Sequence, residues 1–235
     1  MTSPEALFAD RRANDPTGPL LTFYDDASGE RAELSATSLG NWVAKTHFLL
    51  GDELGLGPGD RAYVALPMHW LQVAVLLGVW SAGLEVVTTP DAADVAFVDA
   101  EHVALARAPE VLALALQPWG RGFDGPPPPG TTDYVVAVRP QADAWASVRP
   151  PASPGDAALD GSSRSGVVAA ARRRAESLGL IRGARVLLDD RAAVSPDVLT
   201  LLAVLAVGGS LVLVRHATGD PSASRIAQER VTAFG

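Results

Sequence analysis

Seven consecutive residues, Asp160-Gly161-Ser162-Ser163-Arg164-Ser165-Gly166, are the part of this chain best suited to chemistry. Small residues let a backbone turn sharply and present its N–H groups, and hydroxyls can donate to oxyanions. Arg164 adds a guanidinium able to pair with a phosphate in bidentate fashion. The segment lies between a predicted strand (157–159) and a predicted helix (167–178), whose N-terminus adds partial positive charge. Gly161, Ser162, Ser163, Arg164, Ser165 and Gly166 thus read as an anion cradle. The same heptad also reads as a plain turn, and it does not match the G-x-x-x-x-G-K-[ST] phosphate loop.

Other reactive residues are sparse. There are no cysteines, so disulfides, thiolate catalysis and cysteine metal sites are excluded. Lys45 is the sole lysine against eighteen arginines, so any lysine chemistry must use it. Four histidines are present. His69 follows a predicted strand and stands beside Trp70, so it reads either as facing a ligand at a strand's carboxyl end or as a satisfied core residue. His47, His102 and His216 lack neighbours at ligand spacing, and no metal site is expected. Asp189-Asp190 ends another predicted strand; it could hold Mg²⁺ or simply cap a turn. Ser162-Ser163-Arg164 is not the G-x-S-x-G elbow of a hydrolase.

The elements that must position these residues follow from pattern. Ser3-Pro4-Glu5 starts a helix reaching about residue 13. Residues 20–24 and 31–34 flank a turn-rich pentad and read as a hairpin. Apolar residues at 39, 42, 43, 46, 49 and 50 fall at helical spacing. A strand (61–66), an apolar helix (68–82) and a strand (84–88) make a βαβ unit. Short strands follow at 95–99 and 111–116. The later order is strand 157–159, helix 167–178, strand 184–188, helix 196–207, strand 210–214, helix 220–229, and a last strand-like segment, 230–235.

Two segments repeat. L-G-L-x-x-G-x-R occurs at 54–61 and at 178–185, an offset of 178 − 54 = 124. Residues 76–87 resemble 202–213, with Gly83 against Gly209, an offset of 126 (209 − 83). Two copies of one α/β unit are expected. Four consecutive prolines at 126–129 and further prolines at 140, 150, 151 and 154 mark a connecting segment. The expected division is a first lobe at 1–116, a Pro-rich connector at 117–155 and a second lobe at 156–235. Trp42, Trp70 and Trp80 read as core, whereas Trp119 and Trp145 lie where they could plug a cleft.

Composition bounds the rest. The 235 residues are 48% hydrophobic and carry a formal charge of −8. That is enough apolar content for a sizeable core. It is a poor charge balance for nucleic acid, because phosphate neutralisation supplies most of that affinity. The basic run Arg172-Arg173-Arg174 reads as a solvated helix face. The N-terminus is not a signal peptide and no apolar stretch suits a bilayer, so a cytoplasmic protein without membrane contact is expected.

With these elements in order, the chain resembles the adenylate-forming superfamily of acyl-CoA synthetases, luciferases and peptide-synthetase adenylation domains. Residues 54–67 (LGLGPGDRAYVALP) look like the start of its first βαβ unit, and Trp80-Ser81-Ala82-Gly83 like the small-residue helix end that follows. Residues 158–168 (ALDGSSRSGVV) are similar to its phosphate loop, Y-T-S-G-T-T-G-x-P-K-G-V. Gly161, Ser162 and Ser163 match the G-T-T core, Arg164 replaces the next glycine, and Gly166-Val167-Val168 matches the end; the Pro-Lys pair is missing. Asp189-Asp190-Arg191-Ala192 stands where a P-x-x-H segment is usual. The scarcity of lysine beside abundant alanine, glycine and proline suggests a high-GC bacterial genome, and the resemblance extends to a short, stand-alone actinobacterial subfamily of this superfamily.

The resemblance implies an α/β fold of two related lobes with mostly parallel sheets flanked by helices, like the N-terminal region of acyl-CoA synthetases. It implies AMP, ATP or CoA as the ligand class. The family's adenine- and ribose-binding segments, Mg-holding glutamate and C-terminal domain have no counterpart before Gly235. Adenylation needs a metal, cationic groups and tight positioning. The expectation is a truncated homologue, not catalytic alone: a pseudoenzyme acting as a binding or interaction module that self-associates or takes a protein partner. The alternative is a nucleotide- or CoA-binding enzyme subunit completed by a partner. A third reading is a scaffold whose pocket is filled from residues 117–155.

Overall fold

The computed structural model describes residues 1–144, 152–191 and 197–235. Helix α1 (Pro4–Asn14) begins where expected, with Pro4 in its first turn and Glu5 near its positive end, but extended Ser3, expected to cap it, makes no side-chain cap hydrogen bond. Strands β1 (Pro19–Asp25) and β2 (Glu30–Ser35) pair antiparallel around the Asp-rich turn. Helix α2 (Ala36–Phe48) runs on into a π-helical turn, Leu49–Glu53. Strand β3 (Arg61–Ala65), helix α3 (Trp70–Ala82) and strand β4 (Glu85–Val87) realise the predicted βαβ unit, with β3 and β4 parallel. Next come β5 (Val95–Asp99), β6 (Glu110–Leu114), β7 (Thr132–Asp133) and α4 (Tyr134–Val138). The remainder is β8 (Ala157–Leu159), β9 (Ser162–Ser163), α5 (Arg164–Ser177), β10 (Arg185–Asp189), α6 (Val198–Ala206), β11 (Ser210–Arg215), α7 (Ala223–Glu229) and β12 (Ala233–Phe234).

Among the described residues two sheets form, in the orders β12-β10-β11-β1-β2 and β7-β6-β5-β3-β4-β8-β9. All neighbours run parallel except the hairpins β1–β2 and β8–β9. The expected α/β class with mostly parallel sheets is the observed one.

The chain forms two compact units that interleave in sequence. One comprises Met1–Leu39, Pro67–Trp70 and Ser165–Gly235; the other comprises Gly40–Leu66 and Leu71–Arg164. This differs from the expected division at 116 and 156. The cause is one pairing: β1 lies parallel to β11, Leu21 opposite Leu211, so the N-terminal segment belongs with the last third of the chain. The expectations for Trp145, Pro150, Pro151, Ala192 and Pro196 fall outside the described residues. The described part of the Pro-rich segment contributes β7, at the opposite edge of the seven-stranded sheet from the β8–β9 hairpin.

The sequence repeat is a structural repeat. In each unit the first repeat strand is central, with order β5-β3-β4 in one and β12-β10-β11 in the other. Arg61 opens β3 opposite Glu85, and Arg185 opens β10 opposite Ser210. The backbone bonds Glu85 N–H to Asp60 O and Ser210 N–H to Ala184 O correspond. So do Leu84 N–H to Val79 O and Gly209 N–H to Val204 O. The arginine amides are matched as well: Arg61 N–H donates to Asp94 Oδ2, and Arg185 N–H to Thr232 Oγ1. The left-handed glycine that ends the repeat helix is Gly83 (φ 95°) in one copy and Gly208 (φ 66°) in the other. The structural offset there is 208 − 83 = 125, one less than the sequence match gave.

Helix α3 is apolar on all faces and buried on all of them; Ala74, Val75, Val79 and Trp80 are fully inaccessible. It meets α2 at Gly78. A Cβ at Gly78 would lie 2.4 Å from Thr46 Cβ. Thr46 cannot swing aside cheaply, because its hydroxyl bonds Trp42 O at 2.8 Å and Tyr134 Oη at 2.7 Å. Gly78→Ala gains about 1 kcal/mol of helix propensity. The clash is expected to outweigh that, for a net loss of about 2 kcal/mol. Thermal unfolding should then show a midpoint lower by roughly 4–8 °C; an unchanged or higher midpoint would mean that the helices separate freely.

Candidate functional site

The predicted anion cradle is a tight hairpin followed at once by a helix. Asp160 and Gly161 have φ values of 43° and 77°, and positive φ at both central residues is the signature of the primed two-residue turn that Asp-Gly favours. Strands β8 and β9 pair across it, Leu159 opposite Ser162. The expected seven-residue loop therefore shrinks to two residues, and Arg164 opens α5 rather than lying in a loop.

The donors of this hairpin are engaged by neighbouring groups. Asp160 accepts from Thr88 N–H at 2.9 Å and Thr88 Oγ1–H at 3.0 Å, which fixes the turn to the end of β4. Gly161 N–H donates to the Glu85 carboxylate. Arg164 is fully buried, and its guanidinium donates to Trp80 O at 3.1 Å and Leu84 O at 3.2 Å. Those carbonyls lie at and just beyond the C-terminal end of α3, where a cation complements the helix dipole. The indole N–H of Trp80 in turn donates to Ala158 O at 2.9 Å. Arg164 thus caps the end of a helix. Gly161, Ser162, Ser165 and Gly166 are exposed and Ser163 is half-buried.

A second set of polar residues gathers at the carboxyl edge of the five-stranded sheet, where open α/β sheets place ligands. Asp190 accepts the backbone N–H groups of His216 and Ala217 at 2.6 and 3.1 Å. Asp189 accepts from Arg191, which also pairs with Asp220. Asp189-Asp190 therefore organises a turn. His216 Nδ1 lies 2.7 Å from Asp25 Oδ1. Burial pushes the Asp25 carboxyl up, but hydrogen bonds from His216, Ala27 and Ser28 outweigh it and hold the group below its ordinary range. Nothing in the sequence flagged this Asp–His pair, because its members stand 191 positions apart. His69 is 1% exposed and packs edge-on against Phe23, with ring centroids 4.6 Å apart. Burial, aided by the charge of Arg215, lowers its pKa to about 3, so it is a neutral core residue at physiological pH.

Trp70 and Trp80 are buried and Trp42 is half-buried. Trp119, expected to plug a cleft, is instead 79% exposed on left-handed backbone (φ 66°). Among the described residues, no three His, Asp or Glu side chains converge as a metal site, and no helix is long and apolar enough to cross a membrane.

This architecture is that of the N-terminal region of acyl-CoA synthetases and other adenylate-forming ligases. Acetoacetyl-CoA synthetase from Streptomyces lividans superposes with a TM-score of 0.70 at 20% identity, over 99% of this chain and 42% of its own. The N-terminal domain of FACL13 from Mycobacterium tuberculosis gives 0.64 at 16% identity, over 100% of this chain and 62% of its own. The chain spans about half the length of the acyl-CoA synthetase structures that it matches. No protein-family model matches it. A TIGR03089 family protein of Mycobacterium tuberculosis is 44% identical over 228 residues, covering 93% of this chain and 91% of that protein. The chain belongs to the TIGR03089 family.

Proposed function

We propose that this chain is a binding or interaction module of adenylate-forming fold that does not activate a carboxylate unaided. The observation that carries the reading is the β8–β9 hairpin. Its turn amide is bound to the chain's own Glu85 carboxylate, and Arg164 is committed to the end of α3. A carboxylate already at the turn amide repels an incoming phosphate, and a buried guanidinium cannot neutralise charge developing on pyrophosphate. The protein with ATP, Mg²⁺ and a panel of carboxylic acids is expected to give no ATP–pyrophosphate exchange above background. Exchange with any acid would overturn the reading.

An interaction role is supported by Trp119, held outward on a strained backbone. Exposed tryptophans are frequent anchors of protein interfaces. Light scattering at micromolar concentration is expected to show an assembly larger than one chain, and a clean monomer would count against self-association. The second reading, a nucleotide- or CoA-binding subunit completed by a partner, draws on the exposed Ser162 beside the turn. Calorimetric binding of AMP, ATP or CoA that is lost in Ser162→Ala would favour it.

A further inference from the structure

The duplicated motif builds the same corner twice, at the amino ends of β3–β4 and of β10–β11, and the two corners have diverged in charge. In the first, a cavity of about 250 Å³ is lined by Pro58, Gly59 and Ala157 with the carboxylates of Glu85 and Asp156. In the second, a cavity of about 460 Å³ has Gly183 and Ser210 at the positions equivalent to Gly59 and Glu85. That volume lies within the usual range for small-molecule sites. Exchange of a glutamate for a serine removes an anion from the wall, and four arginines stand around the second corner against three carboxylates.

The ion pairs there leave one cation over. Arg11 pairs with Asp15 at 3.0 Å. Arg31 is shared between Glu33 at 2.7 Å and Glu229 at 3.2 Å. Arg185 pairs with Glu229 at 2.5 Å and also donates to Ser210 Oγ and Thr22 Oγ1. Arg230 lines the cavity from the left-handed residue that ends α7 (φ 52°). Its guanidinium has no hydrogen bond or ion pair among the described residues. Ser210 accepts from Arg185, so its own hydroxyl proton stays available. A surplus guanidinium and a hydroxyl lining the same cavity, together with ion-paired arginines, suit a phosphate oxyanion.

We propose that this corner binds a phosphate-bearing small molecule, with Arg230 as its ionic partner and Ser210 as a hydroxyl donor. The rest of the cavity accommodates the group that carries the phosphate. The site is separate from the β8–β9 hairpin and does not depend on the absence of adenylation.

Titration calorimetry of the whole chain at low ionic strength tests this, with inorganic phosphate, AMP and CoA as probes. At least one probe is expected to bind one per chain, with affinity falling as salt is raised. Arg230→Gln is expected to weaken that binding at least tenfold, and Ser210→Ala several-fold. Arg230→Gln should leave the melting temperature unchanged, because the side chain is exposed and unpaired in the fold. Phosphate binding as tightly as AMP and CoA would mean that the oxyanion alone is recognised; tighter binding of either larger probe would mean that the carrying group is held as well. Absence of heat with all three probes overturns the proposal. So does binding that Arg230→Gln leaves intact, including binding lost only in Ser162→Ala. None of these results bears on pyrophosphate exchange, so the two readings fail separately.

Discussion

Replacement of Arg164 by methionine is expected to lower the melting temperature by roughly 6–12 °C. Methionine keeps much of the apolar stem and removes the guanidinium. Trp80 O keeps one donor, the Gly83 N–H at 3.1 Å, while both it and Leu84 O lose a charge-assisted hydrogen bond. Such bonds are worth about 1.5–3 kcal/mol each, so a loss of about 3 kcal/mol is a conservative figure. Loss of the cation at the end of α3 adds to it. Arg172→Met, an exposed change on the same helix, should stay within about 0.5 kcal/mol of the parent. Differential scanning calorimetry on the pair decides the role of Arg164. Equal melting temperatures would mean that its guanidinium is dispensable to the fold and free to serve a ligand.

The second large effect concerns Glu229. Its side chain is 3% exposed, yet it accepts from Tyr24 Oη–H at 2.5 Å and pairs with Arg185 and Arg31. Glu229→Gln leaves Arg185 largely buried without its countercharge and is expected to cost about 3 kcal/mol at neutral pH. The pH dependence has a definite sign. Burial pushes the Glu229 carboxyl up, but hydrogen bonds from Tyr24, Arg185 and Arg31 outweigh it, and the folded-state pKa lies below the ordinary value. A depressed carboxyl contributes stability that is fully present above the unfolded pKa, about 4.3, and is lost as pH falls through the lower folded pKa. The stability gap between parent and variant should therefore be widest at neutral pH and close in acid. Urea unfolding at a series of pH values measures it, and a gap that widened below pH 4 or so would contradict this account.

The local elements were legible because their signals are local. Asp25-Asp26-Ala27-Ser28-Gly29 announces a reversal, and the β1–β2 hairpin forms around it. The repeated Gly and Arg positions announce a shared strand start, which the matched bonds at Arg61 and Arg185 realise. What stayed hidden depends on distant partners. The Asp-Gly pair at 160–161 carried a hairpin signal, but the small residues around it equally fit a phosphate loop. The contacts that shape the hairpin come from Trp80, Leu84, Glu85 and Thr88, more than 70 residues away. The interleaving of the units was hidden for the same reason: nothing near Leu21 in sequence specifies Leu211 as its neighbour.

That pairing also bears on synthesis. As the chain emerges from the ribosome, β1 and β2 can form their hairpin early, but the other edge of β1 has no partner until β11 is made, 190 residues later (211 − 21). Contacts so far apart in sequence slow folding, and an apolar strand edge left waiting invites misassociation. Leu21 and Phe23, both fully buried once the sheet is complete, would be exposed during that wait. The stage of greatest risk for this sheet is therefore the interval before residues 210–215 are made, when β1 and β2 exist and the strand that pairs with the free edge of β1 does not.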